Sequence, residues 1–483
     1  MNGIRTRRPP VLLLCGPPCF SRDAILLPPA AAVKWKDGGT YKITSIVLSC
    51  RHKHVVHTRS TIVSFQDGTL SAAEEEAADG VDRISALPDD LRRRIVSCLP
   101  VKDAVSTTAL SPRWRRVWHS TPLVLYDSHL DPAEPRRVAA VDRVLAGHPG
   151  PFATVHLALF FFDELERELR RWSRLLADRG VRDLALVSLM APTDLVRLPT
   201  DILRPVLETL ALFVSFGKAR RVRLRGQKLQ CVLVWETAAF ELTVVDAPRL
   251  ERLIMWKTFA PSEGVGSLME VKIAEGASAL KVLGHLELGV HKLQIGNTVI
   301  KADTNVSPRS MVPSVKILAL KVNLGVFEEI QMLLNFLRCF PNIEVLHVES
   351  ARAGEPTGNN YMEFFKELNP IECVQSHIKM VVVHEIYIDI SEVMFIKYIT
   401  QRANELKKMT LVLSGETRAV AGEMIYIVKT LVIPPWACET CTVLLMAPEE
   451  EADLGFHRAS DLSVEDPFLE HGQELFRFIK EGE

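Results

Sequence analysis

The stretch that decides the fold spans residues 81–125 and has the sequence VDRISALPDDLRRRIVSCLPVKDAVSTTALSPRWRRVWHSTPLVL. Pro88 is followed by two acidic residues, which predicts a helix start because carboxylates stabilise the positive end of the helix dipole. Leu91, Ile95 and Leu99 then recur at a spacing of four residues, which places them on one helical face. The stretch therefore begins with a short amphipathic helix.

A second short helix is predicted directly after the first. Pro100 ends the first helix because its ring cannot continue the helical hydrogen-bond pattern. Residues 102–109 have the apolar spacing of a further helix. We expect this helix to turn Val101, Val105 and Leu110 inward.

The third helix starts at a clear capping signal. Ser111 and Pro112 are the residue types favoured at the N-cap and at the first helical position. The helix that follows carries Trp114 and Trp118 among three arginines. Roughly forty residues cannot build an independent core, so apolar surface is left over. We expect this surface to dock on another protein or domain.

The pattern LPDDL…IVSCLPVKDAVSTTALSPRWRRVW closely resembles the F-box, the adaptor-binding module of SCF-type ubiquitin ligases. The resemblance implies docking on a Skp-type adaptor, which joins the chain to a cullin–RING ligase. Arg92 departs from the pattern, since relatives often carry an apolar residue there, and we expect it to weaken docking without abolishing it. A three-helix fragment that merely caps the next domain is the alternative. The resemblance assigns adaptor binding to Leu87, Pro88, Leu91, Ile95, Leu99, Val105, Leu110, Trp114 and Trp118.

The composition limits the classes of protein to which this chain can belong. A chain of 483 residues that is 47% hydrophobic can form two or three domains. The 58 basic and 59 acidic residues nearly cancel, so the net charge predicts neither a nucleic-acid nor a membrane partner. Nine scattered cysteines indicate reduced thiols in an intracellular protein of the cytoplasm or nucleus. No apolar run approaches the roughly 18 residues that cross a bilayer.

The N-terminal 80 residues carry the weakest signals. Residues 1–80 are expected to form a disordered or poorly packed leader, with an organelle transit peptide as the alternative. Within them, residues 50–57 contain one cysteine and three histidines, whose spacing fits no established zinc pattern. Residues 71–80 form a small acidic linker that predicts a domain boundary.

A repeated pattern organises residues 126–413. The form apolar-x-x-apolar-x-apolar recurs, and from Leu250 onward successive copies start about 28 to 35 residues apart. Each copy predicts one short parallel strand and a returning helix or turn, and neighbouring copies must stack to bury their apolar faces. The copies begin at Val181, Leu250, Val315, Ile343, Ile378 and Leu406, with a partial copy at Leu280.

Amphipathic segments between the copies support this prediction. Residues 165–179, 325–340 and 391–407 have helical apolar spacing. The expected fold is therefore α plus α/β, with an N-terminal three-helix F-box followed by an irregular leucine-rich-repeat solenoid. An ordinary α/β domain with coincidental repeats is the alternative. Residues 414–483 are expected to form a C-terminal cap and tail.

The second half carries a further resemblance. The DAPRLERL segment of residues 246–253 looks like the DAPxLExL segment of plant F-box/leucine-rich-repeat proteins. Residues 337–346 and 373–379 resemble parts of the FBD region, which would span about residues 337–413. The resemblance implies a solenoid that holds a degradation substrate. Between Leu198 and Arg221 the chain is short for this family, where further repeats would be expected.

Catalytic motifs are missing from the sequence. It contains no GxxxxGK[ST] phosphate loop, and the His384-Glu385 pair has no second histidine at zinc-protease spacing. Cys438 and Cys441 form a lone CxxC pair, which we interpret as two ordinary thiols. We expect no catalytic residue, no cofactor and no metal.

The sequence thus predicts a non-enzymatic receptor that brings an unknown protein substrate to a ubiquitin ligase. Two alternatives stay open. One is a leucine-rich-repeat scaffold, or decayed family member, that no longer joins a ligase. The other is a small-molecule receptor with a ligand at its target interface.

Overall fold

The structure is a computed structural model. Residues 1–86 lie outside the described part of the chain, and with them the predicted leader, the acidic linker and the cysteine–histidine group. The described residues are 87–160, 165–188, 207–213, 221–235, 237, 239–258, 268–274, 277–352, 364–365, 368–387, 389–415, 426, 436–438, 440–447, 456–469 and 474–479.

The N-terminal module contains three α-helices, α1 (Asp89–Cys98), α2 (Val101–Ser106) and α3 (Pro112–Ser120). Pro88 is the N-cap of α1, as the sequence predicts. The Ser111 side chain caps α3 by accepting a hydrogen bond from the backbone N–H of Trp114 at 3.4 Å. The second helix is shorter than predicted, because the chain tightens into a 3₁₀ turn over Thr107–Ala109.

The remaining helices follow the module along the chain. The helix predicted over residues 165–179 ends at Arg179 as expected, and its C-cap Gly180 adopts the left-handed conformation with φ of 66°. A capping box between Asp389 and Glu392 starts a helix that ends five residues earlier than predicted, at Arg402. These helices are α4 (Glu134–Gly147), α5 (Glu166–Arg179), α6 (Phe327–Cys339), α7 (Glu372–Ser376), α8 (Ile390–Arg402) and α9 (Phe456–Ser460).

Thirteen strands form one sheet whose spatial order follows the order of the chain. All neighbouring strands are parallel except the last pair, which is antiparallel. The strands in order are β1 (Leu123–Tyr126), β2 (Phe152–Phe160), β3 (Asp183–Ser188), β4 (Thr209–Phe213), β6 (Cys231–Trp235), β8 (Arg252–Trp256), β10 (Val282–Glu287), β13 (Ile317–Val322), β14 (Val345–Ser350), β15 (Met380–Ile386), β16 (Lys408–Leu413), β17 (Thr442–Met446) and β18 (Glu474–Ile479).

The predicted sequence repeats coincide with strands of this sheet. Leu253 lies opposite Leu283, which in turn lies opposite Leu318, and the row continues on the following strands through Leu346 and Val381. These side chains are fully buried in one apolar cluster that runs from α1 to β17. Successive copies therefore stack in register, as the periodicity predicts.

One further copy lies between Leu198 and Arg221, where the chain is short for the family pattern, and a second copy follows directly. Leu207 and Leu210 belong to the copy that forms β4, and Leu229 and Val232 belong to the copy that forms β6. Both have the same apolar-x-x-apolar-x-apolar form. The chain is short here because these copies follow one another at a shorter spacing than the 28 to 35 residues found from Leu250 onward.

A second sheet explains this shorter spacing. Its strands take the place of the returning helices or turns that the repeat pattern predicts, and their spatial order is β12-β11-β9-β7-β5. An extended chain rises about 3.3 Å per residue against 1.5 Å in a helix, so fewer residues are needed to return to the next strand. Its strands are β5 (Arg221–Arg225), β7 (Glu241–Asp246), β9 (Met269–Ile273), β11 (His291–Ile295) and β12 (Thr298–Val299).

Candidate functional site

The first candidate site is a group of exposed apolar side chains on the N-terminal module. Leu91 and Ile95 on α1 are 47% and 38% exposed. Val105 on α2 and Leu110 beyond it are 41% and 67% exposed, so the prediction that they face inward is wrong. We call these four residues the exposed apolar set. An exposed cluster of large apolar side chains is typical of an interaction site.

The buried face of α1 differs from the one that the spacing of Leu91, Ile95 and Leu99 indicates. Arg92 and Val96 are fully buried, whereas Leu99 is half-buried against the apolar cluster. The helix therefore turns Leu91 and Ile95 to solvent and packs through the neighbouring positions. This orientation keeps two apolar side chains available for a partner.

The two predicted tryptophan anchors lie inside the protein. Trp114 and Trp118 are both buried. The ring of Trp118 packs edge-on against His148, with 4.7 Å between centroids. The predicted adaptor residues thus separate into the exposed Pro88 and apolar set, the half-buried Leu87 and Leu99, and the buried tryptophans. Their role in adaptor binding remains a prediction.

Arg92, the departure from the family pattern, also lies in the interior. Its guanidinium is 5.5 Å from the centre of the Trp114 ring, a cation–π arrangement. It also approaches the Asp89 carboxylate at 3.6 Å. Because the side chain is completely buried, it contributes no charge to the exposed apolar set. Arg92 therefore places no charge on the surface that could weaken docking on the adaptor in the way that we expected from the sequence.

A buried histidine fixes the module against the repeats. The His148 ring forms a 3.0 Å hydrogen bond with the backbone carbonyl of Thr121, directly after α3. Burial lowers the pKa of His148 to about 4, so the ring stays neutral at physiological pH. Gly150 follows closely, and a Cβ there would lie 2.6 Å from the carbonyl oxygen of His119. The module therefore has one tightly packed attachment to the following strand.

The second candidate site is the face of the 13-stranded sheet that is turned away from the repeat leucines. Because side chains alternate along a strand, Arg252 and Trp256 lie on this face while Leu253 points to the core. Trp256 packs near Trp235 on the neighbouring strand and against His285, with centroids 6.1 Å and 4.9 Å apart. We call this surface the opposite face.

Charged groups continue the opposite face beyond the aromatic residues. The Lys321 ammonium lies 3.2 Å from Glu349 and 3.9 Å from Glu287. Glu349 also approaches the His285 ring at 3.5 Å. Burial lowers the pKa of His285 to about 4. No sequence motif points to these residues, although the alternation of side chains along each strand is a signal that places them on one face.

Two buried cysteines have the character of unreactive thiols. Burial raises the pKa of Cys231 and of Cys441 to about 12, which disfavours the reactive thiolate. The Cys438 thiol lies 3.3 Å from the Thr440 hydroxyl. Within the described ranges, no three His, Cys, Asp or Glu side chains group in a way that could hold a metal ion. None of the helices in the same part of the chain has the length and apolar character needed to span a bilayer.

Comparison with protein families identifies three regions. Residues 84–126 match the F-box domain, and residues 366–411 match the FBD. Residues 205–348 match the leucine-rich repeats of the FBD-associated F-box protein At5g56370. The chain therefore carries an F-box, leucine-rich repeats and an FBD in one polypeptide.

Curated plant proteins are similar to parts of this chain. The F-box/FBD/LRR-repeat protein At5g56420 of Arabidopsis thaliana is 38% identical over 122 residues, which cover 24% of this chain and 28% of the relative. The F-box/LRR-repeat protein At3g26922 of the same plant is 31% identical over 205 residues, 40% of this chain and 62% of the relative. The matches thus span less than two thirds of either relative. The homologues of this chain are plant F-box/FBD/LRR-repeat proteins, as its sequence motifs indicate.

Proposed function

We propose that this protein is the substrate-recognition subunit of an SCF-type ubiquitin ligase. Its F-box would bind a Skp-type adaptor and, through it, a cullin–RING ligase. The observation that carries the proposal is the exposed apolar set, which lies inside the region that matches the F-box. A few well-buried apolar anchors supply most of the binding energy in protein interfaces.

The repeats would form an irregular solenoid that holds the protein substrate. The regular strand order and the in-register rows of buried leucines support this arrangement. In such a ligase subunit the chain itself performs no chemistry. It raises the rate of ubiquitin transfer by holding the target close to the charged enzyme, since positioning replaces a bimolecular encounter.

Co-purification with a plant Skp-type adaptor tests the proposal. The wild-type full chain is compared with a Leu91→Asp/Leu110→Asp double variant, in which two exposed anchors become charged. Ile390→Asp serves as the matched control, because Ile390 is 71% exposed but lies outside the F-box at the start of α8. We expect the double variant to lose the adaptor and the control to retain it.

The outcome separates the ligase subunit from a repeat scaffold. A folded wild-type chain that does not bind the adaptor would contradict the proposal and favour a scaffold outside any ligase. Binding that is equal in all three proteins would contradict the assignment of the exposed apolar set. Thermal unfolding of each variant establishes that the chains compared are folded.

A further inference from the structure

A segment from the C-terminal region covers the opposite face of the sheet. Residues 458–468 meet Arg252, whose side chain is buried on β8. Its guanidinium donates hydrogen bonds to the carbonyl oxygens of Ala459 at 3.0 Å and Asp461 at 3.1 Å, and also to that of Val464. All three acceptors belong to the backbone, so any peptide in this path could provide them.

Asp466 supplies a contact that depends on its side chain. Its carboxylate accepts a 2.9 Å hydrogen bond from Nε2 of His347, which is completely buried on β14. Nδ1 of His347 lies 3.1 Å from Nε2 of His384 on the next strand. Burial favours the protonated acid, but the hydrogen bond and charge of His347, the hydrogen bond from the Phe468 N–H and the charge of Arg458 together outweigh it and lower the pKa of Asp466. The face therefore provides a specific position for a carboxylate.

Phe468 occupies an aromatic position two residues later. Its ring centroid is 5.5 Å from that of His347 and 6.3 Å from that of His285. The backbone N–H of Phe468 also donates to the Asp466 carboxylate at 3.0 Å, which holds the acidic and aromatic residues in a fixed relation. Trp256 extends the same aromatic surface beyond His285.

We propose that the opposite face is a peptide-binding surface for protein segments in which an acidic residue precedes an aromatic residue by two positions, and that residues 458–468 occupy it in cis. This inference rests on the proposed function, since such a segment would belong to the substrate. A segment that only covers the sheet could be packed by apolar side chains. It would need no buried arginine, because burying a charged group is costly unless the group is hydrogen-bonded. Here Arg252 is compensated by carbonyl groups that every peptide carries, whereas His347 and the aromatic position select the side chains.

The cis segment sets the affinity for an external peptide. A tethered segment acts at an effective concentration in the millimolar range, so a free peptide competes poorly with it. Removing the Asp466 and Phe468 side chains weakens the cis segment and leaves the residues of the sheet unchanged. The opened surface should then accept the same sequence in trans.

The test uses a fluorescein-labelled peptide with the sequence RASDLSVEDPF, which corresponds to residues 458–468. Fluorescence anisotropy measures its binding to the full chain carrying Asp466→Ala and Phe468→Ala. We expect saturable binding that is at least tenfold tighter than to the wild-type chain. Peptides in which the aspartate two positions before the phenylalanine becomes asparagine, or in which the phenylalanine becomes alanine, should bind at least tenfold more weakly than the parent peptide.

A folded double variant that shows no saturable binding would overturn the inference, as would equal binding of the three peptides. If the double variant does not unfold cooperatively on heating, Phe468→Ala alone replaces it. If that variant also fails to fold, the segment is a required part of the fold and the inference is wrong. Adaptor binding is measured on the same proteins, so loss of the adaptor with retained peptide binding refutes only the ligase function.

Discussion

The guanidinium of Arg92 lies over the indole ring of Trp114, so the residue that departs from the F-box pattern packs inside the module. The first prediction concerns this pair. Arg92→Met should leave adaptor affinity within about threefold and should not lower the melting temperature, since replacing a buried charge by a well-packed apolar residue is often neutral or stabilising. Arg92→Glu should lower the melting temperature, because it places a second carboxylate beside Asp89. Differential scanning calorimetry and an adaptor titration check both results, and a marked affinity loss in Arg92→Met would contradict them.

The second prediction separates exposed anchors from buried ones. Leu110→Asp should abolish adaptor binding with little change in the free energy of unfolding, because Leu110 is two-thirds exposed. Trp114→Ala should reduce the free energy of unfolding by about 3–5 kcal/mol, since it leaves a large cavity in the module. Urea denaturation measures both effects. A large loss of unfolding free energy in Leu110→Asp would contradict the prediction, because it would show that the Leu110 side chain packs in the core.

The third prediction compares two neighbouring glycines. Gly150→Ala should lower the melting temperature, because the new Cβ would lie 2.6 Å from the His119 carbonyl oxygen and 2.8 Å from Nε2 of His148. Gly147→Ala is the matched control, since a Cβ there would meet no atom within 4 Å apart from its chain neighbours and the backbone of its own helix. The control should leave the melting temperature unchanged or raise it slightly, because alanine restricts the unfolded chain. Equal effects of the two substitutions would refute the close packing proposed at His148.

The fourth prediction concerns pH. Burial lowers the pKa of His148, His285 and His291 from the usual 6.5 to about 4. Between these values the unfolded chain binds more protons than the folded one, so stability should rise with pH across this window and fall as pH decreases from 6.5 to 4. Urea denaturation at several pH values measures the slope.

His291 allows this pH dependence to be assigned to a residue. Its Nδ1 accepts a hydrogen bond from the backbone N–H of Glu287 at 2.8 Å, and its Nε2 lies 2.8 Å from the Thr258 hydroxyl. Protonation would disrupt the first contact. His291→Gln should therefore reduce the slope between pH 6.5 and 4. An unchanged slope in a folded variant would show that His291 does not contribute.

Local signals in the sequence predicted the module and most repeats. Pro88 and Ser111 each mark a helix start because capping depends on adjacent residues. The repeat leucines predicted strands of the main sheet because each copy contains its own apolar spacing. The prediction that Val105 faces inward was wrong, since a helix of six residues offers too few positions to define its buried side.

Other features depended on signals that were weaker or distant. The second sheet had a local signal, since Val222 and Leu224 alternate with exposed arginines on β5, but the repeat pattern predicted only a returning helix or turn at this place. The contacts between Arg252 and residues 458–468 had no local sequence signal, because they join positions more than two hundred residues apart. Periodicity gives the face of a strand, but it cannot specify which distant segment covers that face.

Calorimetric titration of the full chain with a Skp-type adaptor tests the central claim most directly. We predict saturable binding by the wild-type chain and by Ile390→Asp, with loss of binding in the Leu91→Asp/Leu110→Asp variant. Absence of binding by the folded wild-type chain, or equal affinity in the double variant, would contradict the claim that the exposed apolar set joins this protein to a ubiquitin ligase.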